Sequence, residues 1–501
     1  MGFDLEIFKD GELSVSFIEW LVDERWGDIQ NHFGKFWDYY HNRSEPLSAS
    51  ATNAAGESGR PYVQAQECGL PSRITGATAT RPSTFGGCHP SNARRKEVVI
   101  ENDITWRINA LVDFLFGKEI QFVSKAPDAG KRAEIEQILK ALYAANGGIG
   151  FFQDMAVLGS VYGFVDCVVR GGEDIIAGGR PQGSPLQDVL EAVSNISLEL
   201  IEAPRALPVL DENDYKKINY YVQHFYQQKN QVAAKGSFLG RLFGKRAVFE
   251  RETVEVTEII GANGWQRYEN GELIAEGSLP WVFLPVVHIQ NVSQPYYYEG
   301  QSDIEQLIPL QDELNTRLSD RASRITFQSF KMYLAKGLEG AGEKSISPGR
   351  MWCTDNPEAH IEEFGGDAAS PSEDLHIAEI REAMDKASGV TPVVAGVLKS
   401  KLGNLTSAVA LRVVMSGTLS KTERKRFTYG EGIKQMCRMV LQMLDTAGLY
   451  KTTRQEREVE ILFPCPLPEN TMEKLKEAQI KKELGVSQEQ VLRELGYDAA
   501  I

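Results

Sequence analysis

The chain has 501 residues, 42% hydrophobic and 25% charged, the balance of an ordinary folded protein. That length exceeds one compact core and predicts roughly two to four structural units. The formal net charge of −15 excludes a protein that grips nucleic acid through a broadly basic surface, because phosphate neutralisation needs an excess of lysine and arginine. An acidic chain either avoids nucleic acid or lets it slide.

No apolar run reaches about 18 residues, so no membrane-spanning helix is expected. The opening MGFDLEIFKDGEL lacks the basic and apolar regions of a signal peptide. Glu6 stands where a myristoylation motif wants Ser or Thr. Cys68, Cys88, Cys167, Cys353, Cys437 and Cys465 show no zinc-site spacing, and adjacent Cys88 and His89 are poorly arranged for one metal. They read as free thiols in a reducing compartment.

Residues 13–41 predict a helix, with Phe17, Leu21, Trp26, Ile29, Phe33 and Trp37 along one stripe. Residues 44–95, rich in Ser, Thr, Ala, Gly and Pro, read as a linker. That linker is either a disordered insertion or an arm that orders against neighbouring subunits. Helices follow at 101–116, closed by Gly117, at 129–145, stopped by Asn146-Gly147-Gly148, and at 151–162. Strands are predicted at 163–169, 197–202, 218–225, 247–259, 265–274 and 281–289, with a hairpin at Gly261-Ala262-Asn263-Gly264. Residues 97–295 therefore read as an α+β unit.

Three long helical stretches then occupy most of 302–448. The first is SDIEQLIPLQDELNTRLSDRASRITFQ. Ser302 and Glu305 have the form of a capping box. Early acids (Asp303, Glu305, Asp312, Glu313) and late arginines (Arg317, Arg321, Arg324) complement the helix dipole. Pro309 implies either a kink or a true start near 309. A compact excursion at 330–371 carries strand-like pieces at 331–334, 350–353 and 360–364. The second helix, 373–388, ends at Gly389 and Pro392. The loop TPVVAGVLKSKLGNLTS leads into a helix over 407–447, where Gly417, Gly430 and Gly432 predict bends. Its basic run Lys421, Arg424, Lys425, Arg426 either contacts DNA or a neighbour's acids or, the preferred reading, forms a solvated face or intersubunit ion pairs. A strand at 459–463 and a helical tail at 469–497, broken at 485–487, close the chain.

No enzyme motif is present: no G-x-x-x-x-G-K-[ST], no G-x-S-x-G, no H-E-x-x-H. Gly147-Gly148-Ile149-Gly150 follows a helix and reads as a turn. Glu362-Glu363 and Asp303/Glu305 read as surface charge or capping, and His288, His360 and His376 as structural. The expectation is a non-enzymatic protein with no cofactor and no metal.

Six fragments, in this order, resemble the portal family of tailed bacteriophages. They are FWDYYHN, NDITWRINALVDFLFGKEIQF, PVVHIQN, YYYEGQSDIEQLIPLQDELNTRLSD, SGVTPVVAGVLKSKLGNLTSAVAL and FPCPLPENTMEKLKEAQIKKELGVSQEQVLRELG. Ala408 stands where the family usually has Gly. The resemblance implies an α+β wing at 97–297 after an N-terminal helical segment (1–43) and an arm (44–96). It implies a stem helix at 298–329, a clip at 330–372 and a second stem helix at 373–390. A tunnel loop at 391–406, a long wing or crown helix and strand at 407–468 and crown helices at 469–501 complete the scheme.

Functionally the resemblance implies a dodecameric ring at one capsid vertex of the virion, assembled in the host cytoplasm, with no membrane partner. Double-stranded DNA passes through it during packaging and ejection. Its partners are the terminase large subunit, the major capsid protein, scaffold and a head–tail adaptor. Lys399, Lys401 and Asn404 fall on the tunnel loop, where the lysines either touch DNA phosphates or are merely solvated. Asp303, Glu305, Arg317, Arg321 and Arg324 fall on the stem, and Lys331, Arg350, Trp352 and Glu362 on the clip's docking surface. Twelve copies of an acidic chain carry roughly −180 in charge, compatible with a channel that does not hold phosphates. Competing readings are another virion component, such as a baseplate or adaptor protein, and a nucleic-acid enzyme with an unrecognised site.

Overall fold

The computed structural model of the chain describes residues 3–8, 13–42, 99–172, 175–176, 186–232, 249–329, 332–337, 356–364, 371–394, 412–467 and 471–495. The chain divides into two units. The first comprises Met1–Lys35, Arg107–Asp303 and Pro392–Ile501; the second comprises Phe36–Trp106 and Ile304–Thr391.

In the first unit, five antiparallel strands lie in chain order: Ala206–Leu210, Ile218–Val232, Phe249–Ile260, Gly264–Glu269 and Glu272–Ser278. Gly264, Gln266 and Tyr268 are buried and their alternate neighbours half-buried, the two-residue period of a sheet with one covered face. The expected single strand over 265–274 is in fact a hairpin. Asn270 (φ 50°) and Gly271 (φ 80°) both take the left-handed conformation that a tight type I′ turn demands, so Asn-Gly folds the strand back. The covering residues are Phe3, Phe8, Leu13, Ile18, Leu21 and Val22, packed on Leu207, Tyr220, Val222, Ile259 and Tyr268. They come from the N-terminal segment and from the helix predicted over 13–41. That helix is interrupted by one π-helical turn, Leu21–Arg25, between Val15–Trp20 and Trp26–Tyr40. Trp26 and Gln30 fasten it by donating to the Pro204 carbonyl at 3.0 and 2.7 Å.

A second sheet places Phe164–Arg170 between Ser197–Ile201 and Val286–Gln290. Its central strand is buried at six successive positions, and accordingly reads FVDCVV rather than alternating. Helices Ile149–Tyr162 and Ser416–Thr446 pack on it. Ala129–Ala145 matches its expected span, N-capped by the Asp128 side chain and ended by Gly147 and Gly148 at positive φ. The helix expected from 101 begins at Thr105. Three elements were not expected: the helix Leu186–Ser194, the strand Ala206–Leu210, and Gln121–Ser124, which pairs antiparallel with Val459–Leu462.

Ser416–Thr446 is one continuous helix through Gly417, Gly430 and Gly432. Gly432 faces the Ile289 side chain and Gly430 the Phe463 ring, so two of these glycines serve close approach. Residues 407–411 of the expected helix lie outside the described residues. The tail forms Thr471–Glu483 and Gln488–Glu494, parted at Gly485 (φ 89°).

The second unit holds the helices Ile308–Ser329 and Pro371–Ser388 and an antiparallel pair, Met332–Lys336 with His360–Phe364. The Ser302 hydroxyl donates to the Val161 carbonyl at 2.6 Å within the first unit, and Glu305–Leu307 is a 3-10 turn. The α-helix begins at Ile308, which leaves Pro309 in a first turn where no amide hydrogen is needed. The proline marks a start and not a kink. The arm at 44–95 and the strand-like piece at 350–353 lie outside the described residues.

Candidate functional site

Three surfaces were expected to carry function. Lys399, Lys401 and Asn404 of the loop lie outside the described residues, as do Lys331, Arg350 and Trp352 of the excursion. Glu362 is described: it is exposed on the hairpin, with the Lys336 ammonium and His360 Nε2 each at 3.2 Å. Those two neighbours, Lys336 first, hold its carboxyl below the usual range.

The expected stem arginines are engaged within the second unit. Arg317 bonds Glu313 at 2.7 Å one turn back on its own helix. Arg321 reaches Asp374 at 2.9 Å, and Arg324 pairs with Glu373. His376 lies 3.5 Å from Glu313, whose carboxyl is held low chiefly by the Arg317 hydrogen bond. Acids early in Pro371–Ser388 thus meet arginines late in Ile308–Ser329, which aligns the two helices. Each such exposed pair contributes only about 0–1 kcal/mol, so the stripe sets register more than stability.

The buried face of Ile308–Ser329 holds a feature the sequence reading missed. Gln311, Asn315 and Ser319 are buried at successive i, i+4 positions. Ser319 Oγ accepts from the Val99 amide at 2.9 Å, and Asn315 Oδ1 from the Glu101 amide at 3.1 Å. Gln311 Oε1 accepts from the Asp103 amide at 3.1 Å while its Nε2 donates to the Glu101 carbonyl at 2.6 Å. Four helical residues advance about 6 Å and two extended residues about 6.6 Å, so helix side chains match the backbone of 99–103 as a neighbouring strand would. This is why the helix expected from 101 waits until Thr105. The readable signal was Gln-x-x-x-Asn-x-x-x-Ser on one face of a predicted helix. Asn315→Ala leaves the Glu101 amide without its partner. A loss of about 1–3 kcal/mol in urea unfolding is expected, with Arg317→Ala on the exposed face changing stability by less than about 1 kcal/mol.

In the first unit, the basic run is not a solvated face. Lys421, Lys425 and Tyr429 recur at i, i+4, i+8 on the covered side of Ser416–Thr446. Asp303, expected on the stem helix, instead precedes it and is buried with them. Lys421 Nζ lies 2.7 Å from Asp303 Oδ1 and Lys425 Nζ 2.5 Å from Oδ2. Lys425 also donates to Ser160 Oγ at 2.8 Å, and Asn291 Nδ2 donates to Asp303 Oδ2 at 2.9 Å. The Tyr429 hydroxyl donates to Asn291 Oδ1 at 3.0 Å, and the Asp303 amide to the Ser160 carbonyl at 2.9 Å. Burial pushes the Asp303 carboxyl up, but Lys421 and Lys425 outweigh it and hold it well below the usual range. Burial lowers the Lys425 ammonium to about 8, against the pull of Asp303. The remaining members of the run differ: Arg426 bonds Glu423 at 3.0 Å and the Pro464 carbonyl at 2.6 Å, and Arg424 is exposed.

A second buried carboxylate, Asp166, accepts from the Tyr221 and Tyr298 hydroxyls at 2.9 Å and lies 2.6 Å from His288 Nδ1. His288 Nε2 lies 2.7 Å from the Tyr298 carbonyl. Both ring nitrogens are occupied, so this pair ties the 291–300 loop to the sheet and presents no reactive position. Among the described residues, no group of three or more His, Cys, Asp or Glu side chains is placed to hold a metal, and no helix is long and apolar enough to cross a membrane.

Residues 108–496 match the profile of the family described as phage portal protein, SPP1 Gp6-like. No curated protein matches the chain. Among solved structures, a chain in the neck of an empty gene transfer agent particle computed with C6 symmetry is similar at 14% identity and a TM-score of 0.42. The similarity covers 79% of this chain and 90% of that one. A chain in the virion of a native gene transfer agent particle is similar at 12% identity and a TM-score of 0.39, covering 79% of this chain and 89% of that one. The profile spans most of the sequence, including the sheets, both second-unit helices and the helix that carries Lys425. The chain therefore belongs to the SPP1 Gp6-like family of phage portal proteins.

Proposed function

We propose that this chain forms a ring of about twelve copies at one vertex of a phage or phage-like capsid, as a conduit for double-stranded DNA in packaging and ejection. The family match over residues 108–496 carries the reading. The paired helices of the second unit act as the stem wall, with Arg317, Arg321 and Arg324 neutralised in place and so withdrawn from DNA phosphates. The 330–372 excursion acts as the clip that terminase and then a head–tail adaptor engage, with Lys331, Arg350, Trp352 and Glu362 on its surface. Lys399, Lys401 and Asn404 face the channel. The capsid protein and scaffold surround the ring. The net charge of −15 per chain favours DNA that slides over DNA that binds, since each phosphate neutralised adds affinity that must be broken again. The chain acts as a conduit and not as an enzyme, and the packaging ATPase is a separate protein.

Negative-stain electron microscopy of the purified full chain tests this. Closed rings of about a dozen subunits with an axial hole are expected. Monomers, or six-fold assemblies, overturn it.

A further inference from the structure

Two exposed faces of the first unit are opposite in charge, and each carries aromatic or aliphatic side chains left exposed among the described residues. One lies on and just before the long helix. Val413 is 68% and Phe427 73% exposed, and Arg412 and Arg424 are exposed beside them. Positions 413, 417, 420, 424 and 427 recur at the spacing of one helical face. Neither arginine has an ion-pair partner among the described residues. An uncovered phenylalanine next to an unpaired arginine has the composition of an interface anchor.

The other face lies on the N-terminal helix and on the second and third strands of the five-stranded sheet beneath it, Ile218–Val232 and Phe249–Ile260. Trp20 and Tyr226 are each 44% exposed, and Trp26 packs edge-on against Tyr226. Asp23 lies close enough to Glu255 to act on its carboxyl, and among the described residues neither pairs with a lysine or arginine, although Arg25 is exposed on the same turn as Asp23. His224 Nε2 is 3.5 Å from Glu255, but burial lowers that imidazole to about 4, so it is neutral near pH 7 and supplies no counter-charge. Burial and then the neighbouring Asp23 raise the Glu255 carboxyl. Glu24 adds to the same exposed acidic surface.

A basic aromatic face and an acidic aromatic face on different elements of one unit suit a head-to-tail contact between copies, which a ring requires. We infer that the Arg424–Phe427 face of one copy docks on the Trp20–Asp23–Glu255 face of the next. The inference rests on the ring reading and adds to it which two surfaces meet and by what chemistry. An arriving arginine neutralises the carboxylate pair, while Phe427 covers the exposed edge of Trp20 and Tyr226.

Charge reversal and swap test it, read by sedimentation velocity and microscopy of the full chain. Arg424→Glu and Asp23→Lys are both at exposed positions, and thermal unfolding monitors whether each variant stays folded. Each single variant is expected to raise the concentration needed for ring assembly on the order of ten-fold or more. The double variant Arg424→Glu/Asp23→Lys is expected to restore assembly toward the wild-type value, and Phe427→Ala to weaken it without any charge change. Wild-type assembly by folded Arg424→Glu overturns the pairing, as does a double variant no better than the singles. If single variants form normal rings but fail to enter capsids, the face belongs to another protein, which also overturns it. If the wild-type chain itself forms no ring, the ring reading falls and this inference falls with it.

Discussion

Asp303→Asn is expected to lower the unfolding free energy by about 3–5 kcal/mol. The substitution keeps the shape of the side chain but strands two ammonium groups. Lys425 is buried and Lys421 nearly so, with Asp303 between them. Removing one partner of a buried ion pair leaves an uncompensated charge, which costs more than the intact pair ever contributed. Lys425→Met should therefore be milder, because Asp303 keeps Lys421 and the deepest charge is gone. The double variant Asp303→Asn/Lys425→Met should recover part of the loss, and urea unfolding of the four proteins measures the coupling. Additive losses would show that the centre does not act as a unit.

The pH dependence follows from the same contacts. The folded carboxyl of Asp303 is held below its ordinary 3.8, so its stabilisation is present above that value and lost as pH falls through the folded value. The acid-induced loss below pH 3.8 should thus be shallower in Asp303→Asn. Lys425 is lowered from 10.5 to about 8, so between those values the unfolded state holds its proton more tightly. Its contribution to stability therefore rises with pH from about 8 to 10.5, and this rise should vanish in Lys425→Met.

Gly163→Ala is expected to cost about 3 kcal/mol or more. Gly163 ends the helix Ile149–Tyr162 at φ 93°, where a side chain is strained whatever the space. There is also no space: an added Cβ would collide with the Gly300 carbonyl oxygen, and one on Gly300 with that of Gly163. Neither obstacle is a flexible side chain that can turn aside. The two strands of backbone cross here because the Asn291 amide donates to the Gly163 carbonyl at 2.8 Å, just where Ser302 and Asp303 bond Val161 and Ser160. The methyl therefore also disturbs the charge centre. Gly485 makes the control, since its φ of 89° also follows a helix end but its Cβ position is open. Gly485→Ala should lose only the roughly 1–2 kcal/mol of the backbone term. Equal losses at the two sites in thermal unfolding would show that backbone crowding contributes nothing.

Most helices were legible in the sequence because helical signals are local. The stop at Asn146-Gly147-Gly148, the break near Gly485 and the stripe across 13–41 each lie within a few residues of the structure they set. Strand ends were less legible, since a strand is completed by a partner elsewhere. Gln121–Ser124 becomes a strand only beside Val459–Leu462, and the Asn270-Gly271 turn was passed over within one predicted strand. Arg317, Arg321 and Arg324 were visible as late basic residues of a helix, but the partners of Arg321 and Arg324 on Pro371–Ser388 were not.

By itself the sequence determined the α+β class, the acidic balance and the ordered motifs that mark the portal family, all of which rest on composition and local spacing. Only the tertiary structure decided what the charges do. Lys425 and Asp303 are 122 residues apart, and nothing local to either distinguishes a buried partner from a solvated one. Folding brings Ser160, Asn291, Asp303 and Lys425 to one point, and there the low dielectric makes each charge depend on the others. The same packing leaves Arg424 and Phe427 on the outside of that helix, free to meet another copy.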